Sequence, residues 1–363
     1  MPYNISRKLM FASVHMRFTN ILLKPVCFVQ TSLPLRCFIR QTVPDSVDLL
    51  KFSTHTGSEM ARILNGKALA DEIQNELREN IAKWVNLGHR APSIRCILVG
   101  DDPASHTYVG KKIQAAKNIG IDAKVVLHDS SISQEQLIRE IDHLNQDSNV
   151  DGILVQLPIP EQMDERTVCN AITPEKDVDG FHIINIGKLC VDMPTIVPAT
   201  ALAVIEMLKR FNIETFGRNA VVIGRSKNVG MPIAMMLHSD KNHASRLGMD
   251  ATVTICHRYT PKEKLDMYCQ NADIIISATG VPTLIKANMV KPGATVIDIG
   301  ITKVTDENGK SKLVGDVDYE EVAKVAGAIT PVPGGVGPMT VAMLMQNTFQ
   351  AARHLRDKSS SLH

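Results

Sequence analysis

Short apolar runs alternate with amphipathic stretches twice along this chain, and that alternation leaves few folds open. "SIRCILVG" (93–100), "DAKVVLH" (122–128) and "VDGILVQLP" (150–158) read as three buried strands. Between them lie helices over 105–119 and over "SQEQLIREIDHLNQD" (133–147), where Leu137, Ile138, Ile141 and Leu144 share one face and Ser133 is the expected N-cap. Pro158 and Pro160 end the third strand, because proline cannot donate to a central ladder. Strand, helix, strand, helix, strand implies a parallel sheet. The pattern resumes after the Pro-punctuated "DMPTIVPAT" (192–200), the expected hinge, and the helix "ALAVIEMLKRF", with strands at 219–224, 251–256, 273–279 and 294–300. The expected class is α/β with two domains, the second an open doubly wound sheet. Its expected parts are a leader (1–57), a first domain (58–198), a second domain (199–336) and a terminal helix (337–363) packing back on the first.

Composition narrows the function. The 363 residues are 44% hydrophobic and 21% charged, as in a globular protein with ample core material. The net charge of +2 is unevenly spread: residues 1–51 hold seven Lys/Arg and two acids, which leaves the body slightly negative. A body of that sign has no electrostatic footprint for nucleic acid. From Met1 to Pro44 there is no Asp or Glu, while Arg7, Lys8, Arg17, Lys24, Arg36 and Arg40 are interspersed with apolar and hydroxyl residues. That is the composition of a mitochondrial transit peptide, so a matrix location is expected. No apolar run is long enough to span a bilayer, and no membrane partner is expected. Seven scattered cysteines without a C-x-x-C pair argue for reduced thiols, against a disulfide scaffold and against a zinc site.

"AVVIGRSKNVGMP" (220–232) reads as a strand, a turn and a helix that cradle a dinucleotide. The usual fingerprint is G-x-G-x-x-G, followed about 20 residues on by an acid that binds the adenosine ribose. Here Gly224 and Gly230 remain, permitting the turn and close packing of helix on strand, and Arg225 follows the first glycine. After the next strand the chain reads Cys256, His257, Arg258, Tyr259, with no carboxylate. In a Rossmann-like sheet Arg225 and Arg258 converge at the edge of the adenosine site, and two guanidiniums suit a phosphate. That phosphate is either the 2′-phosphate of NADP or a separate inorganic ion beside NAD.

The most chemical stretch of the first domain is "PASHTYVGKKIQAAK" (103–117). Tyr108 and Lys112, four apart, lie on one helical face. A lysine beside a phenol in a partly dry cleft can exchange its proton near neutral pH, or polarise a substrate nitrogen and its attacking water. Ser105 is expected to cap the helix or hydrogen-bond nearby. Gln156 comes at the carboxyl end of a strand, and "PEKDVDGFHIIN" puts Asp177 and Asp179 in a loop, where sites form in such sheets. Asp179 can accept hydrogen bonds from an amino-heterocycle. "ITPVPGGVGPMT" (329–340) is a rigid bend with open backbone, suited to a planar ligand or to a domain crossover.

Taken in order, "SHTYVGKK", "DGILVQLPIP", "KDVDGFH", "GRSKNVGMP" and "TPVPGGVGPMT" resemble the bifunctional methylenetetrahydrofolate dehydrogenase/methenyltetrahydrofolate cyclohydrolase family over about residues 60–356. The resemblance implies a homodimer of two-domain α/β subunits: a catalytic domain, a Rossmann-like dinucleotide domain, and a folate cleft between them. Its substrates would be one-carbon derivatives of tetrahydrofolate. It implies Lys112 as the catalytic lysine of the hydrolytic step, Tyr108 as the residue that stacks on folate, Gln156 as the group that tunes Lys112, and Asp179 as the pterin-holding aspartate. Ser105, Pro331, Gly334 and Gly335 join the substrate site. Gly224, Arg225, Ser226, Val229, Gly230, His257, Arg258, Thr279, Gly280 and Ile299 form the cofactor site. The pattern is similar to the NAD-dependent mitochondrial branch, which implies inorganic phosphate held by Arg225 and Arg258, with Mg2+ near Asp192 and Asp250. NADP use, or binding without turnover, are the alternatives.

Overall fold

A computed structural model describes residues 60–240, 248–305 and 311–360; the expected leader and residues 241–247 lie outside the described residues. The chain enters through a two-residue strand β1 (Arg62–Ile63) and the helix α1 (Gly66–Asn86). There follow β2 (Ser93–Val99), α2 (Pro103–Asn118), β3 (Asp122–His128), α3 (Gln134–Gln146) and β4 (Gly152–Val155). These three strands pair in parallel in the order β3-β2-β4. Every residue of the central β2 is buried, as a strand covered on both faces requires. Fully burying each of its Ile and Leu side chains is worth about 1.5–3 kcal/mol. Ser133 is the N-cap of α3, with a capping box closed by Gln136.

Three helices, α4 (Glu165–Ala171), α5 (Ile183–Cys190) and α6 (Ala199–Arg210), carry the chain to the second sheet. There β5 (Asn219–Ile223), α7 (Gly230–His238), β6 (Thr252–Cys256), α8 (Lys262–Gln270), β7 (Ile274–Ser277) and β8 (Thr295–Asp298) wind in both directions from β5. A hairpin of β9 (Thr302–Thr305) and β10 (Ser311–Val314) stands apart from the sheet. After α9 (Tyr319–Val322) and β11 (Ala328–Ile329) comes the long α10 (Val336–Ser360). The parallel order is β1-β11-β8-β7-β5-β6, so the sheet reverses direction at the carboxyl end of β5.

Arg62–Ile63 falls in the range expected of the first domain, yet it pairs with β11 at the edge of the second sheet. One hydrophobic core runs through both sheets: Ile94 and Leu154 from the first, Val222 and Ile276 from the second, joined by Ile73, Val204 and Met343 from α1, α6 and α10. Helix α10 packs against α1, α6 and α2. Separate clusters cover the outer faces, with Leu137 and Ile141 behind the first sheet and Ile285 and Val322 behind the second.

Candidate active site

Helix α2 begins at Pro103, two residues before the expected start, because Asp102 is the N-cap. The Asp102 carboxylate accepts from both the backbone N–H and the hydroxyl of Ser105, each at 2.8 Å. Those bonds hold the Asp102 carboxyl below the usual range. Ser105 is buried and its proton is committed to the cap. From this anchored start, α2 presents Tyr108, 41% exposed, and one turn later the half-buried Lys112.

The Lys112 ammonium donates to Gln156 Oε1 at 3.1 Å, while Gln156 Nε2 donates to the Leu157 carbonyl at 2.6 Å. The glutamine follows β4 directly, so helix α2 and strand β4 together fix the lysine. Asp179 faces the same ammonium: burial raises its carboxyl from the ordinary value and the charge of Lys112 opposes that rise. Cys96, on the central strand, feels both charges, and burial pushes its thiol up to about 12, which leaves it inert. Lysine, amide and carboxyl thus meet at the carboxyl end of the first sheet. Such a group can hold a water and shuttle its proton.

The loop that carries Asp179 is tied down from several sides. Lys176, buried, donates to the carbonyls of Leu144, Asn145 and Asp147 at the end of α3. Asp177 accepts from His182 N and Asn185 Nδ2, both within 2.9 Å, and burial pushes its carboxyl up to about 6. Asn347 of α10 donates to Val178 and Val197 at 2.9 Å. Asp177 is therefore part of the frame and Asp179 faces the lysine.

In the second sheet, Gly224 has φ 119, and a Cβ there would lie 2.3 Å from the Ala278 carbonyl oxygen. A Cβ on Gly230 would lie 2.1 Å from the Gly224 carbonyl oxygen, so both glycines are required by close backbone approach. Ser226 Oγ accepts from the N–H groups of Val229 and Gly230 and steadies the turn. Asn228 bonds to Glu165 and Arg166 of α4, a link between this turn and the helix after the first sheet. Arg225 and Arg258 each lie 5.9 Å from the centre of the Tyr259 ring, and among the described residues neither has a carboxylate partner. His257 Nδ1 accepts from Tyr259 N, which shapes that corner. Thr279, Gly280 and Ile299 follow β7 and β8.

The remaining expected residues are more dispersed. In the 331–335 turn, Gly334 has φ 109 and accepts from Lys67 N, while Gly335 lies against the first residue of α1. Asp192 occupies the turn after α5 and Asp250 the turn before β6, both with positive φ. Among the described residues no three His, Cys, Asp or Glu groups gather as a metal site. A cavity of about 630 Å3 between α1, α10 and the chain around Pro194 is lined by Asn185, the partner of Asp177, but not by Tyr108, Lys112, Gln156 or Asp179. Tyr259, Asn228 and its α4 partners escape sequence reasoning, because their roles come from contacts between distant segments.

Comparison with known proteins shows the family. The catalytic-domain profile of the tetrahydrofolate dehydrogenase/cyclohydrolase family matches residues 64–179, and its NAD(P)-binding profile matches residues 198–356. The chain is 60% identical over 296 residues to the human mitochondrial bifunctional methylenetetrahydrofolate dehydrogenase/cyclohydrolase 2, covering 81% of this chain and 85% of that one. It is similar to the structure of a 5,10-methylenetetrahydrofolate dehydrogenase from the silkworm Bombyx mori, with 73% identity, a TM-score of 0.78, and coverage of 82% and 100%. The Trypanosoma brucei dehydrogenase-cyclohydrolase, solved with NADP and an inhibitor, shares 38% identity at a TM-score of 0.76, with 82% and 99% covered.

Proposed function

This chain belongs to the tetrahydrofolate dehydrogenase/cyclohydrolase family, and on that premise we propose that it oxidises 5,10-methylenetetrahydrofolate to the 5,10-methenyl cation with NAD and hydrolyses that cation to 10-formyltetrahydrofolate. The observation that carries the reading is the Lys112–Gln156 pair, 3.1 Å apart, in a chain whose second sheet bears a dinucleotide turn. NAD, when bound, supplies the hydride acceptor. The chain's own residues hold the folate: Tyr108 offers a ring on which a pterin stacks, and Asp179 a carboxyl for its amino and ring N–H groups. Orientation of this kind contributes much of the rate. In the second step water adds to the methenyl carbon with release of one proton. The N5–carbon bond then breaks as the adduct's hydroxyl proton passes to N5. Lys112, oriented by Gln156, relays these protons.

Arg225 and Arg258 hold inorganic phosphate where NADP would carry its own. Two guanidiniums around one ring, without carboxylate partners among the described residues, fit an anion. Mg2+ is commonly held by one or two carboxylates completed by phosphate oxygens. Asp192 and Asp250 fit it only in company with that anion. Use of NADP is the second reading, favoured by the same two guanidiniums and by similarity to the trypanosome enzyme solved with NADP. Rates with NAD and NADP, each with and without phosphate and Mg2+, separate the two. An NAD rate indifferent to both ions overturns the phosphate site.

The basic leader, free of acids from Met1 to Pro44, together with the mitochondrial relatives, supports import into the matrix, to be tested by fusing residues 1–57 to a reporter. The partner is a second copy of the chain. Strand β3 is an edge of its sheet, with Leu127 57% exposed and Val125 beside it, and an apolar edge of that kind favours pairing.

A further inference from the structure

We infer that Asp316 is a positioning residue for the dehydrogenase step, fixing the loops after β7 and β8 on which the nicotinamide half of the dinucleotide lies. The inference rests on the dinucleotide reading above. A doubly wound sheet binds its ligand across the carboxyl ends of its strands where the order reverses, with the adenosine half beside the second strand of the motif. Here that strand is β6, so the other half extends over β7 and β8.

Beneath those two strand ends lies a pair of buried carboxylates. Asp316 is 0% exposed, and its Oδ2 accepts from Ser277 Oγ at 2.8 Å and from Thr279 N at 2.7 Å. Ser277 is the last residue of β7, and Thr279 opens the loop that follows. Asp298, the last residue of β8, accepts from Gly300 N at 2.9 Å, from Asp316 N at 3.0 Å and from Val317 N at 2.9 Å. Each carboxylate is seated against a glycine of the other segment. A Cβ on Gly300 would stand 2.0 Å from Asp316 Oδ1, and one on Gly315 would stand 1.9 Å from Asp298 Oδ2.

Burial is the main reason the Asp298 carboxyl is pushed up to about 6, and the charge of Asp316 adds to it. Two like charges packed together oppose folding. The donors offset this incompletely, since Asp316 Oδ1 is buried and, among the described residues, meets no hydrogen-bond donor. An arrangement that costs stability at the floor of a ligand crevice points to function at that place. What the pair does locally is plain: it pins the Thr279 amide and the Ile299–Gly300 peptide into one surface. The loops are further stitched by Thr302 Oγ1 donating to the Gly280 carbonyl at 3.1 Å. None of these contacts reaches Lys112 or Gln156.

The full-length enzyme provides its own control, because the hydrolytic site lies on the other sheet. Asp316→Asn should raise the dinucleotide Kd by titration calorimetry, and its KM, by about tenfold, the equivalent of about 1.4 kcal/mol. Cyclohydrolase kcat and KM on supplied methenyltetrahydrofolate should stay within about twofold. Ser277→Ala removes one donor and keeps the carboxylate, so a smaller shift in the same direction is expected if Asp316→Asn does not fold. Dinucleotide affinity unchanged in Ser277→Ala or Asp316→Asn, or both activities falling in parallel with stability, overturns the inference. Wild type that binds dinucleotide but turns over no folate would instead overturn the proposed function, leaving the affinity comparison intact.

Discussion

A methyl group added at Gly230 would meet the Gly224 carbonyl oxygen at 2.1 Å, with backbone on both sides of the contact. Gly230→Ala should therefore displace the start of α7 from the turn, at a cost of about 1–3 kcal/mol, and weaken dinucleotide binding. Unchanged affinity by titration calorimetry would show that the turn does not touch the ligand. Gln156 accepts the hydrogen bond of Lys112, and in the proposed hydrolysis it acts through that lysine. Gln156→Ala should lower hydrolysis by at least about tenfold, the equivalent of one charged hydrogen bond, and leave hydride transfer nearly intact. Asp177 supplies a pH signature. Its carboxyl is raised from 3.8 to about 6 by burial, so it titrates higher in the folded state than in the unfolded chain. The protonated form is then favoured by folding, and its contribution is full below about pH 4 and lost as pH rises through about 6. Against Asp177→Asn, which has no such proton, the wild type should lose up to about 3 kcal/mol between pH 4 and pH 7 in denaturant titrations. A constant difference would refute the shift.

At the scale of elements, Lys176 joins α3 to the loop of Asp179 through three carbonyls. Lys176→Met keeps the stem and removes the charge, leaving those carbonyls unsatisfied. It should destabilise by about 2–4 kcal/mol and raise the folate KM. Ser133→Ala, at the other end of α3, should cost about 1 kcal/mol without changing either KM. Strands β2 to β8 are legible because buried parallel strands read as apolar runs, and Ser133 because a capping box has its own spacing. The start of α2 was misjudged by two residues because Asp102 and Ser105 are both good caps, and only the hydrogen bonds choose between them. Helix α1 is written in Leu69, Ile73, Leu77 and Ile81, four apart. Nothing local marks β1, since a two-residue strand exists only through β11, far along the chain. In the same way Lys112 and Asp179 were legible in their motifs, whereas Asp298 and Asp316 gain meaning only when their glycine niches are seen together.

For the whole molecule, the shared core means that the two sheets should unfold as one cooperative unit, since Ile94 and Val222 lie in the same cluster. The dimer proposed above would pair through the edge strand β3. Leu127→Lys places a charge on that edge and should shift the sedimentation mass to that of one chain. A variant that remains dimeric would move the interface elsewhere. In the proposed scheme one chain divides two chemistries between two sheets, with hydrolysis resting on a single lysine. The most direct measurement is the pair of rates in Lys112→Ala: dinucleotide reduction with methylenetetrahydrofolate, and decay of supplied methenyltetrahydrofolate. The first should persist while the second falls to the uncatalysed level. Full enzymatic decay of the methenyl compound in that variant would contradict it.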